Sequence, residues 1–327
     1  MNRWTGILKV PVCSNSAATC RVAASLCISP TYTLLVPTIN AIFFNGDRVE
    51  GTGNLVIERL SDLQNIAEIL CSKFGASINA WVIESSKFNG PFAVYKEFIQ
   101  SLNQRGEPQS YRPNGFPAST SVVTLLSNFL VEGEAGYKKV ERAKNNSQKE
   151  HQISAELATS YTPQTIILGF SKGGVVLNQL VTELSFSGTK ATVDPLKPST
   201  FSQIAENQII PVSRESFFDS ITEIHYLDVG LNCPGAYITD DEVIQKIADQ
   251  LNEKDKSLHF VLHGTPRQWS DTNRPWIREE KDKFRQLLDS GKQKSKGKLE
   301  VSEKTYFADL LPNLQMHFEI IEKLVVK

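Results

Sequence analysis

The stretch TIILGFSKGGVVLNQLVTEL, Thr165 to Leu184, decides how the chain is read. It contains Gly169-Phe170-Ser171-Lys172-Gly173, which fits G-x-S-x-G. The pentapeptide alone says little, because glycine and serine are common. Its setting says more. TIILGF is a continuous apolar run, as expected of a strand buried on both faces of a parallel sheet. GGVVLNQLVTEL places Val176, Leu180 and Leu184 on one helical face. A serine between such a strand and such a helix sits on a strained turn, with Oγ presented above the sheet. Gly169 and Gly173 lack Cβ atoms, so strand and helix can approach closely around the turn. The helix N-terminus then directs free N–H groups at an oxyanion formed on attack. The competing reading is a serine N-cap on a glycine-flanked helix.

On either side of this stretch, short apolar runs recur, most of them separated by helical patterns. AIFFNGD (Ala41 to Asp47) reads as a strand ending in a turn. LSDLQNIAEILCSKF follows as a helix, with Ser61 as N-cap and a stripe at Leu63, Ile66, Ala67 and Leu70. INAWVIES (Ile78 to Ser85) is a strand. TSVVTLLSNFLVEG (Thr120 to Gly133) is a helix facing Leu125, Phe129 and Leu130 inwards. Beyond the serine, ITEIHYLDVG, LHFVLHG and KLEVSEKTY read as strands. ITDDEVIQKIADQLNEK, PWIREEKDKFRQLLDSG and MHFEIIEKLVVK read as helices, and KQKSKGK as a solvated loop. This alternation predicts an α/β fold, α/β-hydrolase-like, with a mostly parallel central sheet and helices on both faces.

The 327 residues are expected to form a single domain of this kind. Two polar insertions are expected, at about 134–162 and 185–217. Residues 1–36 carry no acid, and Asp47 is the first acidic residue. That composition suits a short targeting segment. GILKVPV and YTLLVPTI also read as a pair of early strands.

A formal net charge of -1 calls for neither nucleic acid nor an anionic membrane as partner. No apolar run approaches the ~20 residues of a membrane span. The five cysteines, Cys13, Cys20, Cys27, Cys71 and Cys233, form no C-x-x-C pair. They read as reduced thiols of an intracellular protein, not as a zinc site. GTGNLV at Gly51 lacks the spacing of a phosphate loop, and no metal or cofactor is implied. The sequon Asn145-Asn146-Ser147 carries little weight.

A serine nucleophile needs an acid and a histidine later in the chain, on later strand ends. His317, just past the last strand, is the expected general base. His263 is a rival at a strand end, His225 reads as a packed strand residue, and His151 and His259 carry no signal. For the acid, Asp271 has the usual position after the penultimate strand. Asp228, one strand earlier, is the alternative. The second oxyanion donor is expected from FFNGD, at Asn45 or Gly46. Asp47 would bring negative charge there, which Lys172 could offset, or Lys172 could bind an anionic group.

FFNGD, GFSKGGVVLNQL, HYLDVG, TPRQWSDTNRPWIREE and the terminal MHFEI together resemble the chromosome-two open-reading-frame-sixty-nine family. The resemblance runs from about Ala41 to the C-terminus. It implies an α/β-hydrolase-like protein associated with mitochondria, with the reaction open. The family's serine matches Ser171, its Leu-Asp-Gly segment matches Leu227-Asp228-Val229, and its terminal histidine matches His317. Val229 stands where glycine is usual, which questions the loop after Asp228. The cytoplasm is the alternative location, because the chain begins close to the fold.

Two functions follow as expectations. One is a serine hydrolase that cleaves a small-molecule ester, thioester or amide through an acyl-enzyme on Ser171. The other is a weak or inactive hydrolase-fold scaffold that binds a protein partner.

Overall fold

The computed structural model describes residues 2–12, 18–31, 33–144, 161–188 and 209–326. Cys13, the sequon, His151 and most of both expected insertions lie outside the described residues.

The strands are β1 (Asn2–Pro11), β2 (Thr19–Ile28), β3 (Ile39–Phe44), β4 (Ile78–Ile83), β5 (Lys87–Asn89), β6 (Phe92–Val94), β7 (Gln164–Phe170), β8 (Ile221–Leu227), β9 (Leu258–Gly264) and β10 (Leu299–Thr305). Eight of them form one sheet in the order β1-β2-β4-β3-β7-β8-β9-β10, and β5 pairs with β6 alone. Strand β2 is antiparallel to β1 and β4. The pairs from β4 through β3, β7, β8 and β9 to β10 are parallel. This order, with its reversed second strand, is that of an α/β-hydrolase sheet.

The helices are α1 (Leu55–Ser61), α2 (Leu63–Phe74), α3 (Pro117–Lys144), α4 (Gly174–Leu184), α5 (Arg214–Ser220), α6 (Asp241–Lys254), α7 (Pro266–Trp269), α8 (Pro275–Lys294) and α9 (Leu314–Lys323). They cover both faces. Phe129, Val176, Phe217, Ile244 and Phe284 close one core with Ile42, Ile167 and Tyr226. Ile57, Ile66 and Ile321 close the other with Phe43, Leu168 and Leu227. Residues 166–170 of β7 are buried and alternate between these cores, the cause of its unbroken apolar run.

Several local expectations are corrected. The second strand is β2, not YTLLVPTI, where Leu34 makes an isolated bridge to Ile28. Ser61 ends α1 and donates to Ile57 O, whereas Asn54 caps α1 and Asp62 caps α2. Helix α3 continues through 134–144, into the stretch read as an insertion, and α5 begins inside the second one. The start of α3 is held by Glu183 of α4, which is fully buried and accepts from Ala118 N, Ser119 N and Ser119 Oγ at 2.8, 2.9 and 2.6 Å. A carboxylate there satisfies N–H groups that have no intrahelical acceptor and complements the helix dipole.

Between β3 and β7 the chain reverses the direction in which it adds strands. In open α/β sheets, ligands bind outside the carboxyl ends of the strands at such a point. Ser171 and the Asn45–Asp47 loop lie there.

Candidate active site

Ser171 follows β7 directly and opens a single 3-10 turn, Ser171–Gly173, that leads into α4. Its φ is +51°, in the left-handed region. A non-glycine residue held there costs about 1–3 kcal/mol, so the surrounding packing must impose it. Two close approaches do so. A Cβ on Gly173 would stand 2.1 Å from Phe44 O, and a Cβ on Gly46 would stand 2.7 Å from Ser171 Cβ. The turn is therefore wedged against the end of β3. It is a strand–turn–helix elbow, and the N-cap reading fails, because the serine side chain makes no cap hydrogen bond at this helix start.

Loop Asn45–Asp47 faces the serine. Asn45 cannot supply the oxyanion donor, a correction to the sequence reading: its N–H already donates to Ile83 O at 2.9 Å. Among the described residues, the N–H groups of Gly46 and Asp47 donate to no acceptor. Lys172 N, in the first turn after the serine, has no intrahelical acceptor by helix geometry. Gly46 packs against Ser171, and Asp47 and Lys172 line the same cleft.

Asp228 follows β8 and also takes a left-handed φ, +44°. The carboxylate is fully buried. Oδ1 accepts from Thr265 N at 2.7 Å, and Oδ2 from Thr265 Oγ1 at 2.8 Å. The Asp228 N–H donates to His263 O at 2.8 Å, tying the loop to the end of β9. His317 lies in the first turns of α9, which Asn313 caps. His317 Nδ1 is 2.6 Å from Asp228 Oδ2. Its ring also packs on Phe170, with centroids 4.6 Å apart.

The preference for Asp271 as the acid is overturned. Its Oδ2 accepts from Arg274 Nε at 2.8 Å, and its Oδ1 from Asn273 N at 2.9 Å. Asp228, not Asp271, holds His317. His263 is also occupied: its Nε2 meets His225 Nδ1 at 3.0 Å, and its Nδ1 meets Tyr306 OH at 2.9 Å. Burial pushes its pKa down, and the neighbouring His225 adds to this. The valine at 229 fits because its side chain packs over the bare Cα of Gly174 at the start of α4.

Ser171 and His317 line one cleft of about 140 Å³, enough for roughly five waters. Lys172, Asp47, Glu107, Arg267 and Phe170 also line it. Among the described residues, neither Ser171 Oγ nor His317 Nε2 makes a hydrogen bond, to each other or to a third group, and both residues line the cleft. Asp47 does reach the cleft. Its Oδ1 accepts from Ala93 N at 2.8 Å. Burial pushes its carboxyl above the ordinary range, against the opposing pull of that N–H, Lys172 and His317. No helix among the described residues is long and apolar enough to cross a membrane.

The sequence profile of the C2orf69 family matches residues 126–293. The mouse protein named mitochondrial protein C2orf69 homolog is 29% identical over 80% of this chain and 69% of its own length. The human mitochondrial protein C2orf69 is 27% identical over 80% of this chain and 66% of its own length. Among solved structures, a lipase/esterase from Lactobacillus plantarum is 12% identical, with a TM-score of 0.40 over 94% of this chain and 90% of that one.

Proposed function

The chain belongs to the C2orf69 family, and on that footing we propose that it is a serine hydrolase cleaving an ester, thioester or amide bond. The observation that carries this reading is the Asp228–His317 contact beside a serine held at positive φ. Asp228 fixes Nδ1 of His317 as the protonated nitrogen and leaves Nε2 as the base. Ser171 Oγ attacks the acyl carbon while its proton passes to Nε2. The carbonyl π electrons move to oxygen, which the N–H groups of Lys172 and of Gly46 or Asp47 stabilise. As the tetrahedral adduct collapses, the bond to the leaving group breaks and that group takes the proton from Nε2. Water then attacks the acyl-serine, gives a proton to Nε2 and releases the acid, and the proton returns to Ser171.

The names of the relatives place them in mitochondria, and we assign the same compartment to this chain. They lend no support to the cytoplasmic alternative.

Asp47 favours a second reading, an inactive scaffold, since a carboxylate beside an oxyanion opposes its formation. Raised by burial, Asp47 opposes less in its neutral form. Intact mass after fluorophosphonate treatment separates the two readings. One adduct, mapped to Ser171 and lost in Ser171→Ala, is expected. A folded wild-type protein that takes no adduct would leave the scaffold.

A further inference from the structure

Within the cleft, the charged groups divide into those with partners and those without. Asp47 accepts from Ala93 N, Glu107 Oε2 accepts from Asn103 Nδ2 at 3.1 Å, and Arg274 pairs with Asp271. Lys172 and Arg267 differ. Among the described residues, Lys172 Nζ makes no hydrogen bond or ion pair, although the residue is only 5% exposed. It makes one cation–π approach, with Nζ 5.6 Å from the ring centroid of Phe92 on the cleft wall. Arg267 lines the same cleft, and its guanidinium likewise has no partner among the described residues.

The Lys172 side chain is mostly buried, but its amine is not among the fully buried atoms that lack a partner, so Nζ opens onto the cleft and is free to meet an anion there. Lys172 directly follows Ser171 and lines the same cleft. Asp47 lies near enough to interact with Lys172 electrostatically but forms no ion pair with it. It therefore balances charge without occupying the donors.

The geometry points to a substrate with its own anion: a short acyl compound whose carboxylate or phosphate seats between Lys172 Nζ and the Arg267 guanidinium while its carbonyl meets Ser171. The acyl half rests on the hydrolase reading, and the anionic half rests on the unpartnered cations. The cleft volume excludes a long-chain acyl group lying wholly within it. Lysine supplies a point charge and arginine a planar fork, a pair able to hold either anion.

The test has a kinetic arm and a binding arm, both on the full chain. The kinetic arm compares kcat/KM for para-nitrophenyl hemisuccinate with that for the neutral para-nitrophenyl valerate. The charged ester is expected to lead by about tenfold, the scale of one charge-assisted hydrogen bond. That ratio should fall towards one in Lys172→Met and partly in Arg267→Gln, with circular dichroism reporting whether each folds. Arg267 is half-buried, so its variant keeps the test alive if Lys172→Met does not fold.

The binding arm titrates Ser171→Ala with monomethyl succinate and with methyl phosphate by calorimetry. Either should bind, about tenfold more weakly once Lys172→Met is added. The tighter of the two identifies the anion. Binding without turnover of either ester would sink the hydrolase reading and leave the anion site standing. Turnover of the valerate without preference for the hemisuccinate, and without binding of either anion, would overturn the anion site alone. Absence of both turnover and binding would overturn both.

Discussion

Two aspartates lie in successive strand-end loops, and the loops solve different problems. Asp228, after β8, is fully buried and accepts from Thr265 and His317, residues far away in sequence. Asp271, beyond β9, accepts from Asn273 and Arg274, two and three residues on. The first loop exists only because β8 and β9 pair and α9 returns to the sheet. The second is a local turn that closes on itself. The comparison teaches that chain order nominates two acids, whereas long-range donors decide which of them meets His317.

The largest expected effect is at the histidine held by the first loop. His317→Ala should slow acylation of Ser171 by about a thousandfold or more, the scale of removing a general base from such a site. Stopped-flow release of para-nitrophenol measures it. A loss below tenfold would break the functional difference between the loops.

Next comes the packing that shapes the Asp228 loop. In Gly174→Ala the new Cβ would stand 2.5 Å from both Val229 Cγ atoms. Urea unfolding should show a loss of about 2–3 kcal/mol, the upper part of the usual ~1–3 kcal/mol penalty of overpacking. Adding Val229→Gly should recover much of it. No recovery would mean that Val229 is not what Gly174 accommodates.

Thr265→Val removes one donor to Asp228 Oδ2 and keeps the backbone one. It should cost about 2 kcal/mol, within the ~1.5–3 kcal/mol range for a hydrogen bond to a charged group, with loss of the cap bond from Arg267 N adding to it. An effect near zero in thermal unfolding would show that the hydroxyl is not needed to hold the carboxylate.

The smallest effect belongs to the second loop. Partial burial pushes the Asp271 carboxyl up, but the Arg274 hydrogen bond, the Asn273 N–H and the charges of Arg274 and Arg267 outweigh it, so the net shift is downward. A lowered carboxyl stabilises the fold above its unfolded value of 3.8, and this is lost as pH falls through the lower folded value. Asp271→Asn should therefore cost about 0.5–1 kcal/mol at neutral pH, as for a largely local ion pair. The gap from wild type should close below pH ~4. A gap that persists in acid would locate its role elsewhere.

Much of the fold could be read from the sequence because its elements carry their own periodicity. β7 shows an unbroken apolar run, and α2 shows Leu63, Ile66, Ala67 and Leu70, all buried. β2 escaped because Thr19–Ile28 is built of Cys, Ala and Ser between its aliphatics, and it is a strand through pairing with β1 and β4. Tyr32–Ile39 has stronger strand composition, but Pro37 cannot donate to a ladder. The β5–β6 hairpin is too short to show a period.

At the site, Ser171 and His317 could be nominated from order alone. Asn45 could not be excluded without knowing that its N–H reaches Ile83 O across the sheet. That Lys172 lacks a hydrogen-bond or ion-pair partner among the described residues was equally invisible, because a lysine after the serine says nothing about what surrounds its amine. The choice between the two aspartates belonged to the same class, since Thr265 is what orients Asp228.

The most direct measurement is the rate of fluorophosphonate labelling of Ser171 in Asp228→Asn beside Asp271→Asn, both checked for folding. A slowing of at least a hundredfold is expected in Asp228→Asn, with Asp271→Asn near the wild-type rate. Equal rates in both variants, or slowing confined to Asp271→Asn, would contradict the assignment of Asp228, His317 and Ser171 to one catalytic unit.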